Sequence, residues 1–408
     1  MRRNKKPKNY AKIIKNYNNE EITYFNKLLP ETQNNIIKLE TDLNDVSNSL
    51  VPYRFKFLLS NTSNENKRVI INKINELNKL CQDSSEYSKL YKLVNSISKI
   101  PLGLYHNINI NNKMISNYLT NIKTELDNKI YGHQETKNQI IRILAQFIAN
   151  PNAKGYVIGI QGSMGVGKTK LIKDGIASVL KYPFAFIPLG GISDASYLKG
   201  HLYTYEGSTY GKIVDEIIKA KVMNPIFFFD ELDKISSSRY GEEITNTLIH
   251  LTDSTQNDNF RDKYLEELNL DLSKSLMFFT FNNIDNISHI LRDRMIIIKI
   301  DKYSINDKIQ LSKQFLIKDI CNSYNISPTN IIISDSDIEY IITKTTEEDG
   351  VRNLQRNINN IYSYINMNRF IKIDDKLIEF PFIINRNFID KYIIMKRDNN
   401  LINLSIYL

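Results

Sequence analysis

The sequence predicts an α/β fold: a parallel sheet covered by helices on both faces, with one helical region before it and another after it. Three observations carry this reading. Five short apolar runs, YVIGI (156–160), FAFIPL (184–189), PIFFFD (225–230), LMFFTF (276–281) and MIIIKI (295–300), are continuous rather than alternating. That is the pattern of strands buried on both faces. The stretches between them carry apolar residues at three- and four-residue spacing, as helices do. Directly after the first run, residues 162–169 read GSMGVGKT, which fits the G-x-x-x-x-G-K-[ST] pattern of a phosphate-binding loop.

The elements follow in order. Residues 1–100 read as helical, in segments such as NKRVIINKINELNKLC and EYSKLYKLVNSISKI. Pro101-Leu102-Gly103 marks a break, and helix resumes on both sides of Tyr131-Gly132. The α/β nucleotide-binding domain is expected at 101–302 and a helical domain at 303–408, the latter interrupted by the short run NIIIS (330–334). No internal repeat is found.

Composition sets bounds. The 408 residues, 42% of them hydrophobic, suffice for two or three domains with buried cores. No run of about 18 apolar residues occurs, so no membrane partner is expected, and the basic N-terminus lacks the apolar stretch of a secretory signal. Cys81 and Cys321 are too few for a disulfide framework or a zinc site. They suit a reducing, intracellular compartment, with the cytoplasm expected (a host's cytoplasm if the coding genome is viral). Abundant Asn, Ile and Lys reflect AT-rich coding and say little about function. Of the net charge of +9, seven charges (Arg2, Arg3, Lys5, Lys6, Lys8, Lys12 and Lys15) precede the first acid, Glu20. Such an arm can touch nucleic acid or an acidic partner, or serve as a solvated tail.

The chemistry gathers at the strand ends. The chain has 15 glycines, and Gly162, Gly165 and Gly167 fall within six positions. With Ser163, Met164 and Val166 they form a loop whose N–H groups can converge on a β-phosphate, at the positive end of the following helix. Lys168 can neutralise the β- and γ-phosphates of ATP, and the Thr169 hydroxyl can bind Mg²⁺. In PIFFFDELDK, Asp230 and Glu231 end a buried strand, where carboxylates without a partner would be costly. Asp230 is expected to hold the metal through its water shell and Glu231 to polarise the attacking water. Asn282, at the end of LMFFTFN, is expected to sense the γ-phosphate and the lytic water. Ligands of open α/β sheets bind at such carboxyl ends.

With these residues in order, the chain resembles the AAA+ ATPases, and within them the ATPase module of Lon proteases, over about residues 95–360. The matching stretches run from ISKIPLGLY and IYGHQETKNQII through the phosphate loop and IPLGGISDASYLKGHLYTYEGSTYGKIV. They continue through NPIFFFDELDKI and FRDKYLEELNLDLSKSLMFFTFNN to ILRDRM and TTEEDGVRNLQR. The resemblance implies that Tyr131 and Gly132 pack on adenine, that Arg294 reaches a neighbouring subunit's ATP, and that Arg352 is a second sensor on a helical lid at 303–408. It implies a homo-hexamer that unfolds or remodels polypeptides with ATP and Mg²⁺, gripping them through Tyr205 and Glu206. There are departures. Ser163-Met164 stands where the family has Pro-Pro, and Glu206 where it has an aliphatic residue. No Ser–Lys peptidase motif occurs before Leu408, and the region ahead of the module is short, so a motor without its own peptidase is expected. An ATP-binding subunit of a protease with a separate peptidase chain is an alternative. A nucleic-acid motor or loader, suggested by the basic arm, and a non-hydrolysing ATP-binding scaffold are the alternative classes.

Overall fold

Each of the five apolar runs becomes a strand: β1 (Val157–Gln161), β2 (Phe184–Pro188), β3 (Ile226–Asp230), β4 (Met277–Phe281) and β5 (Ile296–Lys299). They form one sheet of order β2-β3-β4-β1-β5, and every pairing is parallel. The computed structural model describes residues 17–47, 51–108, 114–150, 154–192, 194–236, 238–371 and 377–393; the basic arm expected at 2–15 lies outside them. β3 and β4 are buried along nearly their whole length, as their unbroken Phe-rich sequences require. β2 is an edge strand, which suits Pro188, a residue with no N–H to give a further neighbour.

The chain divides into two compact units, Met1–Lys79 and Leu80–Leu408. The described residues of the first form helices α1 (Asn19–Lys27), α2 (Pro30–Ser47), α3 (Tyr53–Leu58) and α4 (Asn64–Leu77). Ser63 caps α4 by accepting from the Asn66 N–H at 3.2 Å, and Ile70, Ile74 and Leu77 repeat on its buried face.

The second unit opens with α5 (Ser85–Lys99), α6 (Ile115–Lys129) and α7 (Gln134–Ala149). Ile122, Leu126, Ile140 and Leu144 from α6 and α7 pack with Ile158, Phe228 and Phe278 on one sheet face. The phosphate loop leads into α8 (168–180), whose middle, Leu171–Ala177, is wound as π-helix. Then come α9 (Ser196–Lys199), α10 (Lys212–Ala220), α11 (Arg239–Thr252) and α12 (His289–Asp293). After β5 the lid follows. It holds α13 (305–323, with a π-helical stretch at Ser312–Leu316), α14 (Asp335–Lys344), α15 (Arg352–Asn368) and α16 (Arg386–Tyr392). The run at 330–334 becomes β6 (Ile331–Ile332), which pairs with β7 (Phe382–Ile383) in parallel. The lid has its own core, with Ile338, Ile341, Leu354, Ile358 and Tyr362 at its centre.

The register fixes what meets at the sheet's edge. Gln161 pairs with Phe281, and Phe229 with Phe279, so β1 and β4 end level and β3 ends one residue short of them. Gly162, Glu231 and Asn282, the next residue of each strand, therefore emerge side by side.

Candidate functional site

These strand ends and the lid enclose a cavity of about 480 Å³. Tyr131, Met164, Gly165, Gly167, Lys168, Thr169, Asp230, Glu231, Asn282 and Arg352 all line it. Gly132, Gly162, Ser163 and Val166 lie outside its lining and support the loop instead. Val166 is buried, and its carbonyl faces the His133 ring nitrogen Nε2 at 3.0 Å and accepts from the Tyr303 hydroxyl at 3.3 Å. Burial holds His133 below the usual imidazole range, its largest influence, so the ring meets these partners uncharged.

Lys168 begins α8 and turns its ammonium into the cavity. It donates to the carbonyls of Gly162 at 2.5 Å and Ser163 at 3.2 Å, and to Asn282 Oδ1 at 2.6 Å. Burial lowers its pKa, while the carboxylates of Asp230, Asp233 and Glu231 pull the other way. The lysine thus stands among acceptors that an anionic ligand can replace. Asp230 accepts from the Thr280 hydroxyl and, at 3.1 Å, from the Glu231 N–H. Glu231 itself is exposed and takes the left-handed φ of 60°, a strained conformation for a side chain with a Cβ. Asp233 is buried; one oxygen accepts from the Asn283 N–H at 3.2 Å and the other has no partner among the described residues.

The cavity's roof comes from the lid: Leu311, Phe315, Leu316, Asp319, Val351, Arg352 and Gln355. The turn before α15 rests directly on the phosphate loop. The Val351 N–H donates to the Gly165 carbonyl at 3.2 Å, and the Ser163 hydroxyl donates to Asp349 Oδ2 at 2.6 Å. A Cβ at Gly350 would come within 2.5 Å of the Gly165 oxygen and 2.6 Å of the Met164 oxygen, so glycine alone fits. Glu348 caps α15, accepting from the N–H groups of Asn353 and Leu354, each at 2.9 Å. The side wall at Ile130–Tyr131 is pinned from behind. Buried Lys137 donates to Asp127 at 2.9 Å and to the Ile130 carbonyl at 2.6 Å.

Two expected groups stand elsewhere. Arg294 does not line the cavity; it pairs with Asp253 at 3.0 Å and donates to the Ile249 carbonyl at the end of α11. Tyr205 and Glu206 border a separate groove of about 1370 Å³ between α5 and the 190–210 segment. Tyr205 is 65% exposed, and Lys89 of α5 donates to the carbonyl of the preceding Thr204 at 2.9 Å.

Sequence reasoning passed over Thr280, Asp233, Glu348 and Lys137. Thr280 had a signal, as the one hydroxyl inside a run of phenylalanines. Glu348 lies in an acidic stretch just ahead of a helix. Lys137 had none, because a lysine in a helical stretch reads as solvated.

A strand-end phosphate loop, a carboxylate pair and a roofing helical domain define the class. Residues 158–302 match the family model of the ATPase family associated with various cellular activities (AAA), and the chain belongs to the AAA+ ATPases. Residues 322–369 match the Lon protease AAA+ ATPase lid domain. Within the AAA+ ATPases, then, this module is of the Lon type. A Lon protease homolog of Acanthamoeba polyphaga mimivirus is 36% identical over 353 residues, 82% of this chain and 34% of that protein. The Lon protease of Ureaplasma parvum is 37% identical over 243 residues, 60% of this chain and 30% of its own. That of Methanosphaera stadtmanae is 30% identical over 367 residues, 90% and 43% respectively. The chain thus spans 30 to 43% of the length of these relatives. No described helix is long and apolar enough to cross a membrane.

Proposed function

We propose that the chain is a Mg²⁺-dependent ATP hydrolase, acting as a homo-hexameric ring, whose turnover drives the unfolding or remodelling of polypeptides. One observation carries the reading most: Lys168, Thr169, Asp230, Glu231, Asn282 and Arg352, from three strand ends and the lid, surround a single cavity. Its apolar wall of Ile130, Tyr131, Leu311, Phe315 and Leu316 suits adenine. The loop N–H groups, the start of α8 and Lys168 suit the phosphates. Among the described residues no three His, Cys, Asp or Glu side chains form a metal cluster. The donor set fits a divalent ion that keeps waters and phosphate oxygens as ligands, with Thr169 and Asp230 holding it. Bound there, the ion supplies neutralisation of the β- and γ-phosphate charge.

In this reading Glu231 accepts a proton from the attacking water, and Asn282 orients that water. Arg352 steadies the γ-phosphate from the lid. Arg294, outside its own subunit's cavity and preset by Asp253, serves the ATP of a neighbouring subunit. The exposed Tyr205 offers a ring for apolar, sequence-tolerant contact with polypeptide. Glu206 beside it repels a phosphate backbone, which favours polypeptide over nucleic acid. No group of the site is assigned to peptide-bond cleavage.

The test is Glu231→Gln, expected to keep ATP binding, lose turnover by about 100-fold or more, and retain polypeptide substrates on purification. Mixed with Arg294→Ala, it should recover part of the activity at hybrid interfaces. Near-normal turnover in Glu231→Gln, or no recovery in confirmed mixed rings, overturns the corresponding assignment.

A further inference from the structure

The loop that carries Tyr205 leaves the body of the protein at Gly200 and returns at Gly211. Its two stems approach so closely that neither tolerates a side chain. A Cβ at Gly200 would lie 2.7 Å from the Thr209 oxygen and 2.8 Å from the Gly211 nitrogen, and one at Gly211 would lie 2.6 Å from the Gly200 nitrogen. The His201 N–H donates across the neck to Thr209 at 3.3 Å. Beneath the neck sits Asp262, in the segment between α11 and β4. It is 0% exposed, the only aspartate so completely enclosed among the described residues. Oδ2 accepts from the Gly211 N–H at 2.8 Å, and Oδ1 accepts from the Tyr264 N–H at 2.8 Å. The Lys263 N–H donates to the Lys199 carbonyl at 2.7 Å, closing the other stem onto the same segment.

Burying a carboxylate this deeply is costly unless its oxygens are satisfied. Here they are satisfied by backbone donors on both sides of a junction, and the junction is the base of one loop. Beyond the neck the loop is open: Gly207, at φ 77°, has nothing within 4 Å of a Cβ. We infer that Asp262 is a positioning residue which, by binding the Gly211 N–H, fixes the direction in which the 201–210 loop presents Tyr205 and so couples the ATPase body to whatever that loop engages. For the nature of what is engaged, this rests on the polypeptide reading above; the clamp itself does not.

Titration supplies a second handle. Burial raises the Asp262 carboxyl to about 7, against the pull of its backbone donors and of Lys199. The charged and titratable groups facing it are Lys199 at the end of α9, and Tyr264 on its own segment with Tyr210 packed edge-on against it; Lys263 adjoins Lys199. Because the folded-state value lies above the unfolded one near 3.9, Asp262 favours the fold below that value, and its contribution is lost as pH rises through 7. Ionisation of this enclosed carboxyl thus costs stability.

The experiment compares the wild-type chain with Asp262→Asn by amide hydrogen exchange, ATP affinity, basal ATPase and ATP-dependent unfolding of a tagged reporter protein. The Gly211 and Tyr264 amides should be protected in the wild type and exchange at least tenfold faster in the variant, with ATP affinity and basal ATPase within twofold. Unfolding per ATP should fall at least tenfold. The wild type should lose stability relative to the variant as pH rises toward about 7. Asp262→Glu, which keeps the carboxylate but displaces it by one methylene, should give the same pattern more weakly, and it serves if Asp262→Asn does not fold. Rapid exchange of the wild-type Gly211 amide, or unchanged exchange in the variants, overturns the clamp. Unfolding that is lost in Tyr205→Ala but kept in Asp262→Asn overturns the positioning role. Unfolding unchanged in both, with exchange accelerated, instead overturns the polypeptide reading and leaves the clamp standing.

Discussion

Two loops of this molecule use glycine for opposite ends. In the phosphate loop, Gly165 and Gly167 hold left-handed φ values of 79° and 91°, and the curl they permit turns the backbone toward an enclosed cavity. That loop is tied down at several points: Val166 is buried, Ser163 meets Asp349, and the lid turn lies on Gly165. In the Tyr205 loop, glycine lets two stems touch at the neck, and the tip beyond is left in solvent. The first loop is built so that a ligand completes it. The second is built so that its base cannot drift while its tip stays adaptable. Tight backbone packing therefore marks the binding element in one case and the foundation of the binding element in the other.

The difference can be broken most severely at Lys168. Lys168→Ala removes the one cation that bridges the phosphate loop and Asn282, and ATP affinity is expected to fall about 100-fold, in line with the worth of charged hydrogen bonds. Titration calorimetry with ATP reads this directly, and an affinity within threefold of wild type would contradict it. A smaller effect is expected at Gly350→Ala. The added methyl must push the lid turn off the Gly165 carbonyl, lowering ATP affinity about tenfold through a strained close contact while leaving the Gly211 amide as protected as before. Joint loss of protection at both loops would mean that they are not separate devices. The smallest effect on nucleotide is expected from Tyr205→Ala. ATP affinity should stay within twofold, since the side chain is exposed and does not line the cavity, while ATP-dependent unfolding of the reporter disappears. An ATPase stimulated only by DNA or RNA would reverse the assignment of the loop's partner.

The sheet was legible because its strands are buried on both faces, so their sequences are unbroken apolar runs. The ends shifted by a residue or so where backbone and side chain disagree. Gln161 is polar and closes the apolar run, yet its backbone still pairs with Phe281 and Lys299, so β1 extends through it. Around the cavity, the groups that belong to a local motif could be read: Gly165 to Thr169, Asp230 and Glu231. Asn282 could be read because it ends a strand. What could not be read is what depends on the fold bringing distant backbone together. Asp262 reaches an amide 51 positions back along the chain, and Ser163 reaches a carboxylate 186 positions ahead. Neither distance leaves a trace in spacing. Arg294 illustrates the same limit. The sequence suggests its reach toward a neighbour, and only the structure reveals the local tether to Asp253.

One feature beneath the cavity bears on how force leaves it. Phe229 and Phe279, the residues just before Asp230 and Thr280, stack with ring centroids 4.6 Å apart and planes 9° from parallel, and Phe227 extends the stack at 6.1 Å. Close-packed aromatic interiors compress very little. The sheet beneath the cavity is therefore stiff. The lid above meets the phosphate loop through the turn before α15 and through Tyr303, and it has its own core. In the proposed function, a change at the γ-phosphate would meet this stiff sheet below and a lid with its own core above, so the lid is the part expected to move.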